Sequence, residues 1–567
     1  MRWTFKPQEN KFQVSELAKS LSISKVLAKL LVQRDIFDFD KAKYFFRPKL
    51  STMHSPFLMK DMDMAVARIE KAIAQKENIL VYGDYDVDGT TAVSLVSAYL
   101  KTFYNKVATY IPNRYDEGYG ISFKGIDFAD DNDITLIIAL DCGIKAVDKV
   151  AYARKKNIDF IICDHHRPGD KLPKAVAVLD PKRDDCNYPF DELCGCGIGF
   201  KLIQALAEKR QQNFEELTPY LDLVAIAIGA DIVPIINENR IMAYYGLEII
   251  NKNPRPGIKA LIGQTYKKNL NTSDVVFGVA PKINAAGRMK HGRYAVALLT
   301  EMSLPQAEEF AKEISTFNTD RRAKDKAITQ EALLQIKKNK EQKQAATVVY
   351  KENWHKGVIG IVASRLIETY YRPTLVFTKS SEKLTASARS VKGFDIYNAI
   401  ASCAEFLEQF GGHKYAAGLT LKESNYQDFK KMFERVVKNT IPNSCLEPEI
   451  IVDSEIELSE ITPKFYRILK QMAPFGPGNM SPVFLASGLR DNGYGKKVGQ
   501  DGLHLKLNII AGADFKTYNA IGFNLGHKYD LVSNGKAFKA VFTIEENIWN
   551  GVTSLQLNIK DIKAEDA

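Results

Sequence analysis

At 567 residues the chain is too long for one hydrophobic core, and length alone predicts three or four domains. With 45% hydrophobic and 26% charged residues and no apolar run of about 18, it reads as globular, not as disordered or membrane-spanning by helices. The net charge of +10 favours an anionic partner without naming one.

Residues 1–50 form a helical lead-in, because LAKSLSISKVLAKLLVQR repeats apolar positions at helical spacing before the loop RPKLSTMHSP; the charged start carries no signal-peptide pattern, so a cytoplasmic address is expected. Residues 51–302 read as one α/β domain. The short apolar runs NILVYGD, ITLIIALD, DFIICD and AVAVLD, most followed by helical stretches, suit a parallel sheet covered on both faces. Residues 303–345 are charged, helix-prone and nearly free of glycine and proline, which predicts a long connecting helix. Residues 346–445 form a second α/β unit with strands at ATVVY and TLVFT and helices at VIGIVASRLIETYY and IYNAIASCAEFLEQF. Residues 446–567 hold short strands (IIVDSEIEL, HLKLNII, YNAIGF, AFKAVFTI, SLQLNIK) with turns between them, which predicts a small barrel. The seven cysteines are odd in number and scattered, as reduced thiols are; Cys194 and Cys196 in LCGCGIGF read as small residues at a glycine-rich turn, not zinc ligands.

The chemistry gathers behind the strands of the first domain. VYGDYDVDGTT places Asp84, Asp86 and Asp88 at alternate positions, which share one side in an extended chain. IIALDCG adds Asp141, and FIICDHH adds Asp164, His165 and His166. Carboxyl ends of strands form the ligand crevice of open α/β sheets, so these residues should meet. Any one of them alone reads as readily as a helix cap or turn residue, but the series does not. Packed carboxylates must protonate or bind cations, and carboxylate with imidazole suits Mn2+ or Mg2+. Two such ions form the usual clamp for phosphoryl displacement.

GDYDVDGTT, ALDCG, DHH and GADIVP, in that order, resemble the four signature motifs of the DHH phosphoesterases. PNRYDEGYGIS, PKINAAGRM, ENWHKGVIGIVASRL, SARSVKGFDI, FGGHKYAAG and MAPFGPGNMSPVF narrow the likeness to the RecJ exonucleases, over roughly residues 50 to 565. The resemblance implies a parallel-sheet DHH phosphoesterase domain, a second, DHH-associated nucleic-acid-binding domain and a C-terminal OB-like barrel. It implies that Asp86, Asp88, Asp141, His165 and Asp231 bind two metal ions, with Asp84 in the same motif counted among them. His166 would stand beside the scissile phosphate, and Asp164 would orient His165. Several relatives carry a histidine where this chain has Tyr82, a departure expected to bear on metal preference.

A nuclease must also hold a polyanion. Arg114, flanked by Tyr115 and Tyr119, lies in a loop; Arg288 follows INAAG; Ser387 and Arg389 share one side of an extended strand. The resemblance implies that these residues bind DNA phosphates, with Arg288, Ser387 and Arg389 near a terminal 5′-phosphate. Gly411, Gly412 and His413 read as a helix stop, and the resemblance adds a close approach of nucleic-acid backbone. Trp354 and His355 read as packing, with base stacking the alternative. Residues 451–567 balance thirteen Lys and Arg against thirteen Asp and Glu, so the barrel needs a local groove, for which Tyr494, Lys496, Lys497, His504 and Lys506 are candidates. The expected activity is a 5′-to-3′ exonuclease on single-stranded DNA, releasing 5′-mononucleotides in DNA repair and recombination, with a helicase and a single-strand-binding protein as partners and no membrane. The alternatives are a phosphodiesterase on short oligonucleotides and a non-catalytic replication factor.

Overall fold

The apolar runs of the first half become strands β1 (Asn78–Gly83), β2 (Val107–Tyr110), β3 (Ile134–Leu140), β4 (Asp159–Cys163) and β5 (Ala177–Leu179). In this computed structural model, which describes residues 1–7, 9–263, 269–511, 514–533, 535–549 and 551–566, they form one parallel sheet in the order β2-β1-β3-β4-β5. The central strands are buried on both faces, which is why they lack polar alternation. Tyr82, Ile137, Phe160 and Ile162 pack on one face with Ile126, Ala129, Val150 and Ala153 from the helices Phe123–Asp131 and Val147–Lys155. On the other face lie α1 (Val87–Lys101) and α2 (Gly195–Lys209), with α3 (Leu221–Asp231) packed on both; all three are buried nearly all round, as interior helices are. Order 2-1-3 puts a topological switch at β1, where a crevice opens beyond the carboxyl ends.

Two departures from the sequence reading occur here. Asp84, Asp86 and Asp88 do not line an extended strand, because β1 stops at Gly83 and Asp86 is already the N-cap of α1, its carboxylate accepting from Gly89 N–H at 3.0 Å. Asp231, which taken alone reads as a turn residue, is instead the last residue of a helix, α3.

Helix α4 (Ala280–Met289) precedes α5 (Leu304–Lys338), the long connecting helix. Pro305 in the first turn of α5 and Lys337 and Lys338 in the last suit the two helix ends. A stripe of Ala307, Ala311, Ile314, Phe317, Ile328, Ala332 and Ile336 is its buried side. The second sheet comprises β6 (Thr347–Tyr350), β7 (Thr374–Ser380), β8 (Lys383–Arg389), β9 (Leu407–His413) and β10 (Ala416–Lys422) in the order β9-β10-β8-β7-β6. Between β6 and β7 runs α6 (Ile359–Thr369). The stretch expected as one helix from IYNAIA to EQF is helical only over Ile396–Ala401. Its second half is instead the edge strand β9, paired with β10 from Leu407 to His413, because cross-strand pairing overrides the local helix propensity of AEFLEQ. Gly411, Gly412 and His413 therefore end a strand, not a helix, and stand exposed at a hairpin.

The chain divides into two compact units. Met53–Pro448 contains everything above, and the other joins Met1–Thr52 to Glu449–Ala567. In that second unit Arg2–Phe5 pairs in parallel with Glu449–Val452, and Leu17, Leu27, Leu30 and Leu31 of the lead-in helices share a core with Phe484, Phe538 and Phe542. Strands β11 (Phe484–Asp491), β12 (His504–Ala511), β13 (Asp514–Gly522), β14 (Phe538–Trp549) and β15 (Val552–Ala564) pair in the order β11-β14-β15-β13-β12, and β11 also pairs with β12, so the order returns to its start. Among the described residues no helix is long and apolar enough to cross a membrane.

Candidate active site

Beyond the carboxyl ends of β1, β3 and β4 the acidic residues converge on His165. Its Nε2 lies 3.2 Å from Asp141 Oδ1, 3.6 Å from Asp231 Oδ2 and 3.8 Å from Asp88 Oδ2. Asp88 is clamped by two backbone donors at the start of α2, Gly195 N–H at 2.6 Å and Cys196 N–H at 2.7 Å. The helix end thus holds a carboxylate, as its dipole favours. Gly195 is required at this turn, since a Cβ there would lie 2.6 Å from Asp141 Cβ.

Burial dominates the electrostatics. It pushes Asp84 up to about 8, with the charge of Asp86 adding, and Asp88 up to about 7 for the same two reasons. Asp231 rises to about 8 and Asp141 well above the usual range, again through burial first and neighbouring carboxylates second. His165 is pushed down to about 3 by burial, which leaves a neutral imidazole whose Nε2 makes no hydrogen bond. Asp84 Oδ2 is likewise buried and without a partner. Orphaned acceptors, crowded carboxylates and a neutral imidazole together fit divalent cations held by oxygen and nitrogen. Two overlapping donor groups meet the spacing, Asp88–His165–Asp231 and Asp141–His165–His166.

Asp164 does something different from what the sequence reading expected. Its Oδ1 accepts from the backbone N–H of His165 and His166 at 2.8 and 3.1 Å and lies 2.8 Å from His166 Nδ1, while Oδ2 accepts from Ile144 N–H at 2.9 Å. The ring it orients is that of His166, not His165. Burial opposes charge on both groups, but their mutual hydrogen bond and attraction outweigh it, raising His166 to about 9 and holding Asp164 low.

A second cluster is cationic. Arg288 donates to Gly357 C=O at 3.0 Å, and Arg114 donates to Gly287 C=O at 3.2 Å with its guanidinium 3.8 Å above the Tyr85 ring. Burial and the charges of Arg114 and Arg389 push Arg288 down to about 9. Ser387 and Arg389 share the half-buried face of β8, and a Cβ at Gly360 in the first turn of α6 would lie 3.0 Å from both Ser387 Oγ and Arg389 Nη2. Among the described residues none of these three arginines is paired with a carboxylate.

Family models match in three places: the DHH family N-terminal domain over residues 78–228, the DHHA1 domain over 342–439 and the RecJ OB domain over 452–561. The chain is 36% identical to the single-stranded-DNA-specific exonuclease RecJ of Bacillus subtilis strain 168, over 99% of its own length and 70% of that protein. It is 31% identical to the RecJ of Haemophilus influenzae, over 91% of its length and 93% of the relative. The chain belongs to the RecJ family. The crystal structure of RecJ from Thermus thermophilus in complex with Mn2+ superposes with a TM-score of 0.85 at 25% identity, over all of this chain and 80% of that one.

Within the RecJ frame several residues take places that the motifs alone did not assign. Tyr82 is buried in the sheet core, its hydroxyl donating to Gly120 C=O at 2.9 Å and accepting from Ser122 N–H at 3.2 Å, so it offers nothing to the acid cluster. Trp354 packs against α5 and donates to Glu331 at 2.8 Å, which removes it from base stacking. Burial lowers the pKa of His413, and the charges of His166, Lys145, Arg167 and Lys182 add to that. Sequence reasoning missed Asp180, a buried carboxylate raised to about 7 by burial whose Oδ2 has no partner; before Pro181 it reads as an ordinary turn residue. It also missed the backbone donors of Gly195 and Cys196, which no side-chain pattern announces. On the barrel, Lys496 and Lys506 are directly opposed and exposed, and Tyr494 is exposed beside them.

Proposed function

We propose that the chain is a single-stranded-DNA-specific exonuclease that works 5′ to 3′ and hydrolyses phosphodiesters with two divalent ions, Mn2+ or Mg2+. The observation that carries this reading is a buried acid cluster and a group of arginines with no carboxylate partner among the described residues, in one unit and near enough that Asp86 acts on the charge of Arg288. Each cluster is costly alone, and each lacks what a metal-bound polyphosphate strand supplies.

Asp86, Asp88, Asp141, His165 and Asp231 would hold the ions, with Asp84 alongside. Bound there, the ions supply a lowered pKa for the attacking water and neutralisation of charge on the phosphate. His166 stands beside the scissile phosphate with its ring fixed at Nδ1 by Asp164. Arg389, Ser387, Arg288 and the first turn of α6 take the terminal 5′-phosphate, which carries more charge than an internal diester, and Arg114 takes another phosphate of the strand. Gly411, Gly412 and His413 leave room for the strand's backbone at the hairpin. The separation between pocket and acid cluster sets the product length, and a short one releases 5′-mononucleotides. The barrel, with Lys496, Lys506 and Tyr494 exposed, adds grip on long single strands. Such an enzyme serves DNA repair and recombination in the cytoplasm, fed with single strands by a helicase and coupled to a single-strand-binding protein.

The test is a time course on one single-stranded oligonucleotide labelled at either end, with Mn2+. A 5′ label should appear at once as mononucleotide, while a 3′ label should pass through a ladder of shortening strands. The reverse pattern, or internal cuts first, overturns the assignment of direction.

A further inference from the structure

Asp164 fixes only one of the two ring nitrogens of His166. The other, Nε2, lies 3.2 Å from the hydroxyl of Tyr119, and that hydroxyl is 3.3 Å from the main-chain carbonyl of Asp141. A phenol has one proton to donate. If it goes to the carbonyl, which can only accept, then Nε2 is the donor in the contact with His166. Tyr119 thus ties the His166 ring to the backbone of the residue that supplies a carboxylate to the acid cluster. The tie is built by its loop: Gly118 and Gly120 have φ of 84° and 76°, conformations that L side chains avoid, and they set the turn that carries Tyr119. The Tyr119 ring meets Tyr85 edge-on, with centroids 6.3 Å apart, and Tyr85 carries the Arg114 guanidinium on its face. Tyr119 is also more than half exposed, so burial does not explain why an aromatic residue stands here.

We infer that the Tyr119 hydroxyl is a positioning group for His166, pinning Nε2 where the scissile phosphate arrives so that the ring cannot swing about its Asp164 contact. This rests on the placement of His166 at the phosphate given under the proposed function. A residue that acts through His166 affects turnover and leaves strand capture alone, because the arginines and the barrel do the capturing.

The experiment compares Tyr119→Phe and Tyr119→Ala in the full chain with Mn2+ and a 5′-phosphorylated single strand. Tyr119→Phe removes only the hydroxyl. It should lower kcat about tenfold, as expected for one lost hydrogen bond, with KM within twofold of the parent. Unchanged kcat, or a raised KM at constant kcat, overturns the inference, the latter assigning the hydroxyl to substrate binding. A double-mutant cycle with His166→Ala, read by single turnover with excess enzyme, gives the second readout: Tyr119→Phe should cost nothing further once His166 is gone. Additive losses overturn the inference even if the kcat effect is present. If His166→Ala alone turns over at the parent rate, the placement of His166 under the proposed function fails, and the inference falls with it. If His166→Ala is too slow to cycle, the split between kcat and KM decides.

Discussion

Asp231→Asn should make the metal-free protein more stable at alkaline pH while removing a ligand. The Asp231 carboxyl sits at about 8 in the folded chain, against about 3.9 for an unfolded aspartate. Its folded pKa is raised, so the folded state keeps the proton longer. The associated stability is fully present below about pH 4 and is lost as pH rises through about 8. Four pKa units at about 1.4 kcal/mol each set a ceiling of about 6 kcal/mol. The side chain is 27% exposed and shares its repulsion with Asp86 and Asp88, so relief of about 2 kcal/mol is the working figure. The unit Met53–Pro448 has about 400 residues and, at about 2.1 cal/mol/K per residue, an unfolding entropy of about 0.8 kcal/mol/K, which converts that relief into a rise of 2–3 °C. Calorimetry in EDTA at pH 5 and pH 8.5 measures it. The gain over wild type should be clear at pH 8.5 and less than a third as large at pH 5, and Mn2+ should reverse the order of the two proteins by stabilising only the parent strongly. Equal melting temperatures at pH 8.5 in EDTA, or a gain that grows toward acid pH, would refute the view that this cluster is strained by unpaired negative charge.

Arg389→Ala should narrow the rate advantage of 5′-phosphorylated over 5′-hydroxyl strands by roughly ten- to hundredfold, the worth of one charge-assisted phosphate contact; if both rates fall equally, Arg389 is general backbone grip. A fragment of residues 53–448, cut at the unit boundary so that the lead-in helices leave with the barrel they pack on, should still cleave very short oligonucleotides. Its affinity for long strands should fall and depend less steeply on salt, as titration at several salt concentrations will show; unchanged long-strand affinity would give the barrel to a protein partner.

Much of the site was legible because its chemistry needs residue types that are costly elsewhere. Asp141 and the His165–His166 pair follow strands that are apolar but for Thr135 and Asp159, and that juxtaposition is rare without a ligand. Parallel strands and the long helix α5 were legible for a similar reason, their patterns being continuous over many residues. What stayed hidden depends on contacts distant in sequence. That Asp164 serves His166 is settled by backbone turns of a few residues, and the clamp on Asp88 comes from N–H groups more than a hundred positions away. The strand at Leu407–His413 reads as helix until β10 is present to pair with it. The packing of Leu17 and Leu27 against Phe484 and Phe538 joins opposite ends of the chain, which no local periodicity can announce.

The most direct measurement compares wild type with Asp141→Ala on single-stranded DNA, duplex DNA and single-stranded RNA of one sequence, with Mn2+, alongside binding of the same single strand. Wild type should release mononucleotides from single-stranded DNA far faster than from the other two. Asp141→Ala should lose at least about a thousandfold in turnover while binding the strand within a few-fold of the parent. Turnover by Asp141→Ala near the wild-type rate, or wild-type activity indifferent to the three substrates, would contradict the claim that this acid cluster is the hydrolytic centre of a single-strand-specific DNA exonuclease.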